Sequence, residues 1–83
     1  MKFYVYILCN FKKNKSTTYV GYTKDIKKRL KLHNKGKGAK FTRGRQWKLI
    51  YNESFKTKKE AISREYYIKK NRKFRNLIKS LYT

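Results

Sequence analysis

Seven consecutive positions, Phe3-Tyr4-Val5-Tyr6-Ile7-Leu8-Cys9, are apolar or aromatic. An unbroken run of strand formers of this length predicts a central strand covered on both faces. The polar, basic stretch from Asn10 to Ser16 reads as a turn, and Thr17-Thr18-Tyr19-Val20-Gly21-Tyr22 as a second strand close enough for an antiparallel hairpin. Gly21 weakens such a strand, so it marks either a close backbone approach or a chain reversal.

Helical periodicity follows. Thr23 is the predicted N-cap, Asp25 sits in the first turn where a negative charge suits the dipole, and the helix should stop at Gly36, after Lys35. Its stripe is Ile26, Arg29, Leu30 and His33, which puts an arginine and a histidine on the face expected to pack inward. Gly36 to Arg45 has three glycines and four cations and reads as an exposed, mobile loop without the spacing of a Walker loop.

Trp47 to Phe55 alternates in part, with Trp47, Leu49 and Tyr51 on one side, and predicts a third strand. Thr57-Lys58-Lys59-Glu60 matches a capping box that opens a second helix. Along it Ala61, Glu65 and Ile68 share one side, with Ile62 and Tyr66 beside them, so Glu65 falls within an apolar stripe where an unpaired carboxylate is costly. Asn71 breaks that helix, and Phe74, Leu77, Ile78 and Leu81 form the packing stripe of a last one. The expected fold is α/β in the α+β sense: a small three-stranded antiparallel sheet flanked by helices, in the order β-β-α-β-α-α, as a single domain over residues 1–83.

The chain's 83 residues leave room for one small domain, and 39% hydrophobic with 17% aromatic residues is enough apolar surface to fold it and argues against disorder. Charge changes the picture most. Against 25 Lys and Arg stand only 4 Asp and Glu, a net +21 whose self-repulsion calls for a polyanion, and nucleic acid is the natural one. A lipid partner would need an apolar span of about 20 residues, a lipidation signal or a free amphipathic helix, and none is visible. The opening apolar stretch is too short for a secretory signal, which predicts a cytoplasmic protein. Cys9 is the lone cysteine, with no disulfide partner or second thiol for zinc, and reads as a small buried hydrophobe.

The two tyrosine tripeptides on the hairpin, Tyr4-Val5-Tyr6 and Tyr19-Val20-Gly21, resemble the paired signatures of the GIY-YIG nuclease superfamily. Arg29 and Glu65 fall where that family carries a phosphate-binding arginine and a metal-binding glutamate. His33, then Asn34 and the loop Gly-Lys-Gly-Ala-Lys-Phe-Thr-Arg, is similar to its short stand-alone branch. The resemblance spans essentially the whole chain and implies a nuclease domain acting on DNA with Mg²⁺ or Mn²⁺, of the kind employed in DNA repair or recombination. Two positions depart from the pattern. Tyr4 stands where the first tripeptide opens on glycine, and Tyr22 where many members carry a lysine, so another cation must assist the base.

Phosphodiester hydrolysis needs an activated water, a positive clamp on the nonbridging oxygens and help for the leaving oxygen. Glu65 could hold a hard cation through one carboxylate, with waters and phosphate oxygens filling the rest of the shell. A single metal is implied, because the only other acids are Glu60, committed to capping, Asp25, committed to a helix start, and Glu53, on a different element. Arg29 has the forked geometry for the phosphate clamp. Tyr6 or Tyr19 would be the general base, a phenol of ordinary pKa about 10 that needs nearby cations to act near neutrality. His33, one turn beyond Arg29, could hydrogen-bond a phenol or the phosphate.

Lys37, Lys40, Arg43 and Arg45 are the expected backbone-binding group, extended by Lys69, Lys70, Arg72, Lys73 and Arg75 near the C-terminus. No base-reading element is evident. The expected partner is DNA, with RNA equally suited to such a surface, and a monomer with an unspecified targeting protein is the expected state. Two other classes compete: a basic nucleic-acid-binding module that does not cleave and is indifferent to Glu65, and a basic structural protein of the ribosome.

Overall fold

The computed structural model describes residues 2–12 and 15–82. Strands β1 (Phe3–Lys12) and β2 (Lys15–Thr23) form an antiparallel hairpin, and β3 (Lys48–Phe55) pairs antiparallel with the other side of β1, giving the strand order β2-β1-β3. The unbroken apolar run accordingly lies in the centre, with Val5, Tyr6, Ile7, Leu8 and Cys9 all at most 2% exposed. Side chains alternate along a strand, so this run supplies two layers. Val5, Ile7 and Cys9 pack with Val20, Ile50, Ala61, Ile68 and Ile78, whereas Tyr6 and Leu8 pack with Trp47, Tyr19, Leu30 and Leu49. Burying each large aliphatic among them stabilises the fold by roughly 1.5–3 kcal/mol.

The hairpin is longer than its hydrophobic pattern predicts. Pairing continues through Asn10↔Thr17 and Phe11↔Ser16 to Lys12↔Lys15, so most of the stretch expected as a turn is strand. Asn10 is buried there and donates to Gln46 O at 2.7 Å, while Phe11, Lys12 and Lys15 are exposed and held by the ladder. Of the turn expected over Asn10 to Ser16, residues 13 and 14 lie outside the described residues.

β3 also departs from expectation. Ile7 pairs with Tyr51 but Leu8 with Leu49, so Ile50 is an extra residue in a β-bulge. The extra residue shifts the alternation. Trp47 and Leu49 therefore face the Tyr6 layer, while Tyr51 packs in the other one, not beside them.

Helix α1 (Ile26–Asn34) is capped by Asp25, whose side chain accepts from Lys28 N at 3.0 Å. Thr23 is not its cap. It ends β2 opposite Tyr4, and its hydroxyl accepts from Asp25 N at 3.2 Å, propping the true cap. The helix ends as expected at Lys35, with Gly36 at φ +76°.

α2 (Lys58–Lys70) opens on the capping box of Thr57 and Glu60, and Asn71 both ends α2 and caps α3 (Arg72–Ser80), its side chain accepting from Phe74 N at 3.0 Å. Both helices cover the Val5 layer. A three-stranded sheet offers them little width, so only one row from each reaches it. Ala61, Ile68 and Ile78 are buried, while Ile62 and Tyr66 remain exposed, as do Leu77 and Leu81, two positions of the expected α3 packing stripe. Glu53 on β3 accepts from Arg64 Nε and Nη2, each at 3.0 Å, and from the Tyr51 hydroxyl, which ties β3 to α2.

Candidate active site

On the face of the sheet away from α2 and α3, the Tyr6 side chain lies across β2 at the point where Gly21 is its cross-strand partner. A Cβ at position 21 would stand 2.5 Å from Tyr6 Oη, so the bare backbone is what makes room for the phenol. The close approach expected at this glycine is with the other tripeptide's tyrosine.

Tyr6 Oη is 3.0 Å from His33 Nε2, in the last turn of α1. His33 is 1% exposed and its Nδ1 lies 2.8 Å from Oγ1 of Thr42, a residue wholly out of solvent. Thr42 Oγ1 also donates to Ala39 O at 2.8 Å, and the Trp47 indole N–H donates to Thr42 O at 2.9 Å. Asn34 brackets the far end of the loop, accepting from Trp47 N at 2.6 Å and donating to its carbonyl at 3.2 Å. The segment expected as an exposed, mobile loop is thus pinned at Thr42 and Trp47 and contains a 3₁₀ turn at Lys40–Thr42. Gly38 permits the packing, since a Cβ there would come 2.4 Å from His33 Nδ1.

Tyr19 completes the cluster. Its half-buried ring is 6.5 Å from that of Tyr6, 5.0 Å from the His33 imidazole and 6.1 Å from Phe41, with which it stacks. Burial pushes the Tyr6 phenol well above its ordinary range; Tyr19 and Glu65 push the same way, and Arg29 opposes them. Burial, then Arg29, holds the His33 imidazole below its usual value. The cationic chain therefore does not make Tyr6 a phenolate, because desolvation outweighs the nearby charge. At neutral pH the pair is a phenol against a neutral imidazole.

Arg29 is exposed, not packed inward as its stripe suggested: its guanidinium stays hydrated while Leu30 and His33 fill the interior. It lines a cleft of about 660 Å³ with Phe3, Tyr22, Lys24, Lys28 and Lys58. Glu65, on α2, has a side chain 16% exposed and pairs with Lys69 Nζ at 3.5 Å. Its charge and that of Arg29, on different helices, act on the Tyr6 phenol in opposite directions.

Among the described residues no three His, Cys, Asp or Glu side chains converge on one point. A preformed cage is thereby excluded among them, and one carboxylate holding a largely hydrated Mg²⁺ is the arrangement this donor set fits.

Lys37, Lys40 and Arg43 are exposed on the loop that borders Tyr19 through Phe41. Arg45 is half-buried, its guanidinium 4.8 Å over the exposed Phe41 ring. Arg75 is likewise engaged, donating to Ile68 O at 2.8 Å, so it closes the end of α2 instead of extending the solvated track. Periodicity gave no sign of Thr42, Asn34 or Trp47 as members of this site. A lone threonine among glycines and cations resembles any loop residue, and only the tertiary fold sets it against the imidazole.

The sequence matches the GIY-YIG catalytic domain family over residues 2–79. It is 56% identical over 68 residues to a UPF0213 protein of Clostridium perfringens, an alignment covering 81% of this chain and 70% of that one. A UPF0213 protein of Bacillus velezensis is 50% identical over 68 residues, covering 81% of this chain and 65% of the relative. The solution structure of a UPF0213 protein from Bacillus halodurans superposes with a TM-score of 0.55 at 42% identity, over 98% of this chain and 85% of that one. Its fold is the same three-stranded antiparallel sheet with three helices. With the paired tyrosine tripeptides on one hairpin and a family match running almost from end to end, the chain belongs to the GIY-YIG nuclease family, among its small UPF0213 members.

Proposed function

We propose that this protein is an endonuclease that hydrolyses DNA phosphodiester bonds with the help of one divalent cation. The buried hydrogen bond between Tyr6 Oη and His33 Nε2 carries this reading, because it joins a tyrosine of the first tripeptide to a neutral base. Tyr6 is 2% exposed, so its hydroxyl is shielded from bulk solvent.

The attacking water forms its bond to phosphorus as its proton passes to Tyr6 Oη and the proton already on Tyr6 passes to His33 Nε2. The bond from phosphorus to the leaving oxygen breaks, and that oxygen takes a proton from solvent. Arg29, exposed on the wall of its cleft, clamps the nonbridging oxygens. Tyr19, stacked on Phe41 and tilted against His33, walls the reacting centre on the loop side. Glu65 would hold Mg²⁺ or Mn²⁺ after releasing Lys69, and when bound the cation supplies Lewis-acid stabilisation of the phosphoryl charge. Lys37, Lys40 and Arg43 grip the backbone without reading bases.

No described helix is long and apolar enough to cross a membrane. The function is tested by cleavage of linear, single-stranded, flapped and branched DNAs with Mg²⁺ or Mn²⁺, comparing the native chain with Glu65→Gln. Cleavage that disappears in the variant while binding survives supports the nuclease. Equal binding and no cutting by either protein leaves a basic nucleic-acid-binding module.

A further inference from the structure

We infer that Thr42 is a positioning residue, whose hydroxyl fixes His33 in the tautomer with its proton on Nδ1 and so keeps Nε2 bare toward Tyr6. The catalytic consequence rests on the nuclease reading above; the tautomer itself does not.

Proton counting carries the argument. Thr42 Oγ1 has one proton and two neighbours at 2.8 Å, Ala39 O and His33 Nδ1. A carbonyl oxygen only accepts, so the hydroxyl proton goes to Ala39 and Oγ1 is left to accept from Nδ1–H. The other end of the chain agrees. His33 Nε2 is the single hydrogen-bond partner of the Tyr6 hydroxyl among the described residues, so a proton on Nε2 would leave the buried phenol proton without an acceptor. One contact runs the other way: Ala39 N–H donates to Nδ1 at 3.5 Å, and a protonated Nδ1 forfeits that long bond, a smaller loss than a buried phenol proton without an acceptor. Tyr6, His33 and Thr42 are each 2% exposed or less, so bulk water does not compete.

Thr42 is itself held from both sides, by its own N–H on Ala39 O at 3.1 Å and by the Trp47 indole on its carbonyl. It also lies between Lys40 and Arg43. The segment that presents cations to a nucleic acid therefore also sets the proton on the imidazole.

The chain contains one histidine, so long-range ¹⁵N–¹H NMR of the ¹⁵N-labelled protein reads this tautomer without overlap. Above pH 7.5, the native protein should show a protonated Nδ1 and a bare Nε2. Thr42→Val keeps the shape and removes the acceptor, and should move the proton toward Nε2; Thr42→Ser should restore the native pattern. In cleavage, Thr42→Val should lower kcat by about 10–100-fold with the Kd for DNA unchanged, and Thr42→Ser should recover most of it. A native protein protonated on Nε2, or a folded Thr42→Val with the native tautomer, overturns the inference. Should Thr42→Val fail to fold, the native and Thr42→Ser spectra decide the tautomer between them. The native tautomer in a protein that cuts no DNA would sink the nuclease reading while leaving the tautomer assignment in place.

Discussion

Gly21 and Tyr6 face each other across the hairpin, and the hydrogen that replaces a side chain at Gly21 is what allows the Tyr6 ring to cross β2 and reach His33. The backbone at Gly21 is ordinary strand; among the described residues only Gly36 and Gly44 have positive φ. The constraint on this glycine is steric.

Gly21→Ala should therefore destabilise the fold by about 1–3 kcal/mol, as overpacking does, and reduce cleavage in parallel. The new Cβ would stand 2.5 Å from Tyr6 Oη and 2.7 Å from Cζ, so adding Tyr6→Phe relieves only the nearer contact. Urea denaturation of the single and double variants measures both effects. An alanine variant as stable as the native chain would contradict the packing described.

Tyr6→Phe alone keeps the ring and removes the proton carrier. Cleavage should drop by about 10²–10⁴-fold, the usual contribution of a general base, with DNA affinity preserved. Stability should fall by about 1 kcal/mol through the lost hydrogen bond to His33. A phenylalanine variant that cuts normally moves the base to Tyr19.

His33 also makes stability depend on pH with a defined sign. Burial holds its native pKa below 6.5, so the unfolded chain binds the proton more readily and the contribution of the neutral imidazole is complete above pH 6.5. It is lost as pH falls from 6.5 through the depressed native value. Melting temperature should decline between pH 7.5 and 5.5 in the native protein, and His33→Gln should flatten that part of the profile. A native curve with no slope there would show that His33 is not buried as a neutral base.

Duplex DNA binding should weaken linearly with the logarithm of salt, and each loop cation that meets a phosphate contributes about 0.9 to the slope. Replacing Lys37, Lys40 and Arg43 together by Gln should reduce the slope by about 2–3. Arg45→Gln should change it less, since its guanidinium is already stacked on Phe41. Fluorescence anisotropy across a salt series gives these values, and an unaltered slope in the triple variant would place the DNA elsewhere.

The element order and central β1 were legible because they rest on uninterrupted local signals: a seven-residue apolar run, a capping box at Thr57 and Glu60, and a breaker at Asn71. Tyr6, Tyr19, Arg29, His33 and Glu65 stood out by motif or by polar placement on apolar stripes. What escaped depends on contacts between distant segments. The bulge at Ile50 arises from pairing with β1, and no alternation in β3 announces it. Capping by Asp25 instead of Thr23 follows from Thr23 being drawn into the hairpin. Leu77 and Leu81 have perfect helical spacing, yet the sheet beneath α3 is too narrow to receive them. Thr42 matters only because its segment folds back onto the last turn of α1 at His33.

All four acidic side chains have internal duties: Asp25 and Glu60 cap helices, Glu53 holds Arg64, and Glu65 holds Lys69. Arg64 and Lys69 are matched in this way, and most of the 25 cationic side chains still repel one another. Any polyanion that coats the folded surface eases this repulsion and raises the melting temperature, whether or not it comes near Tyr6. Thermal-shift screening with heparin, polyphosphate or arbitrary oligonucleotides will therefore yield positives that carry no information about substrate. Discriminating ligands requires comparison at high ionic strength, where diffuse attraction is screened and only close, shaped contact persists.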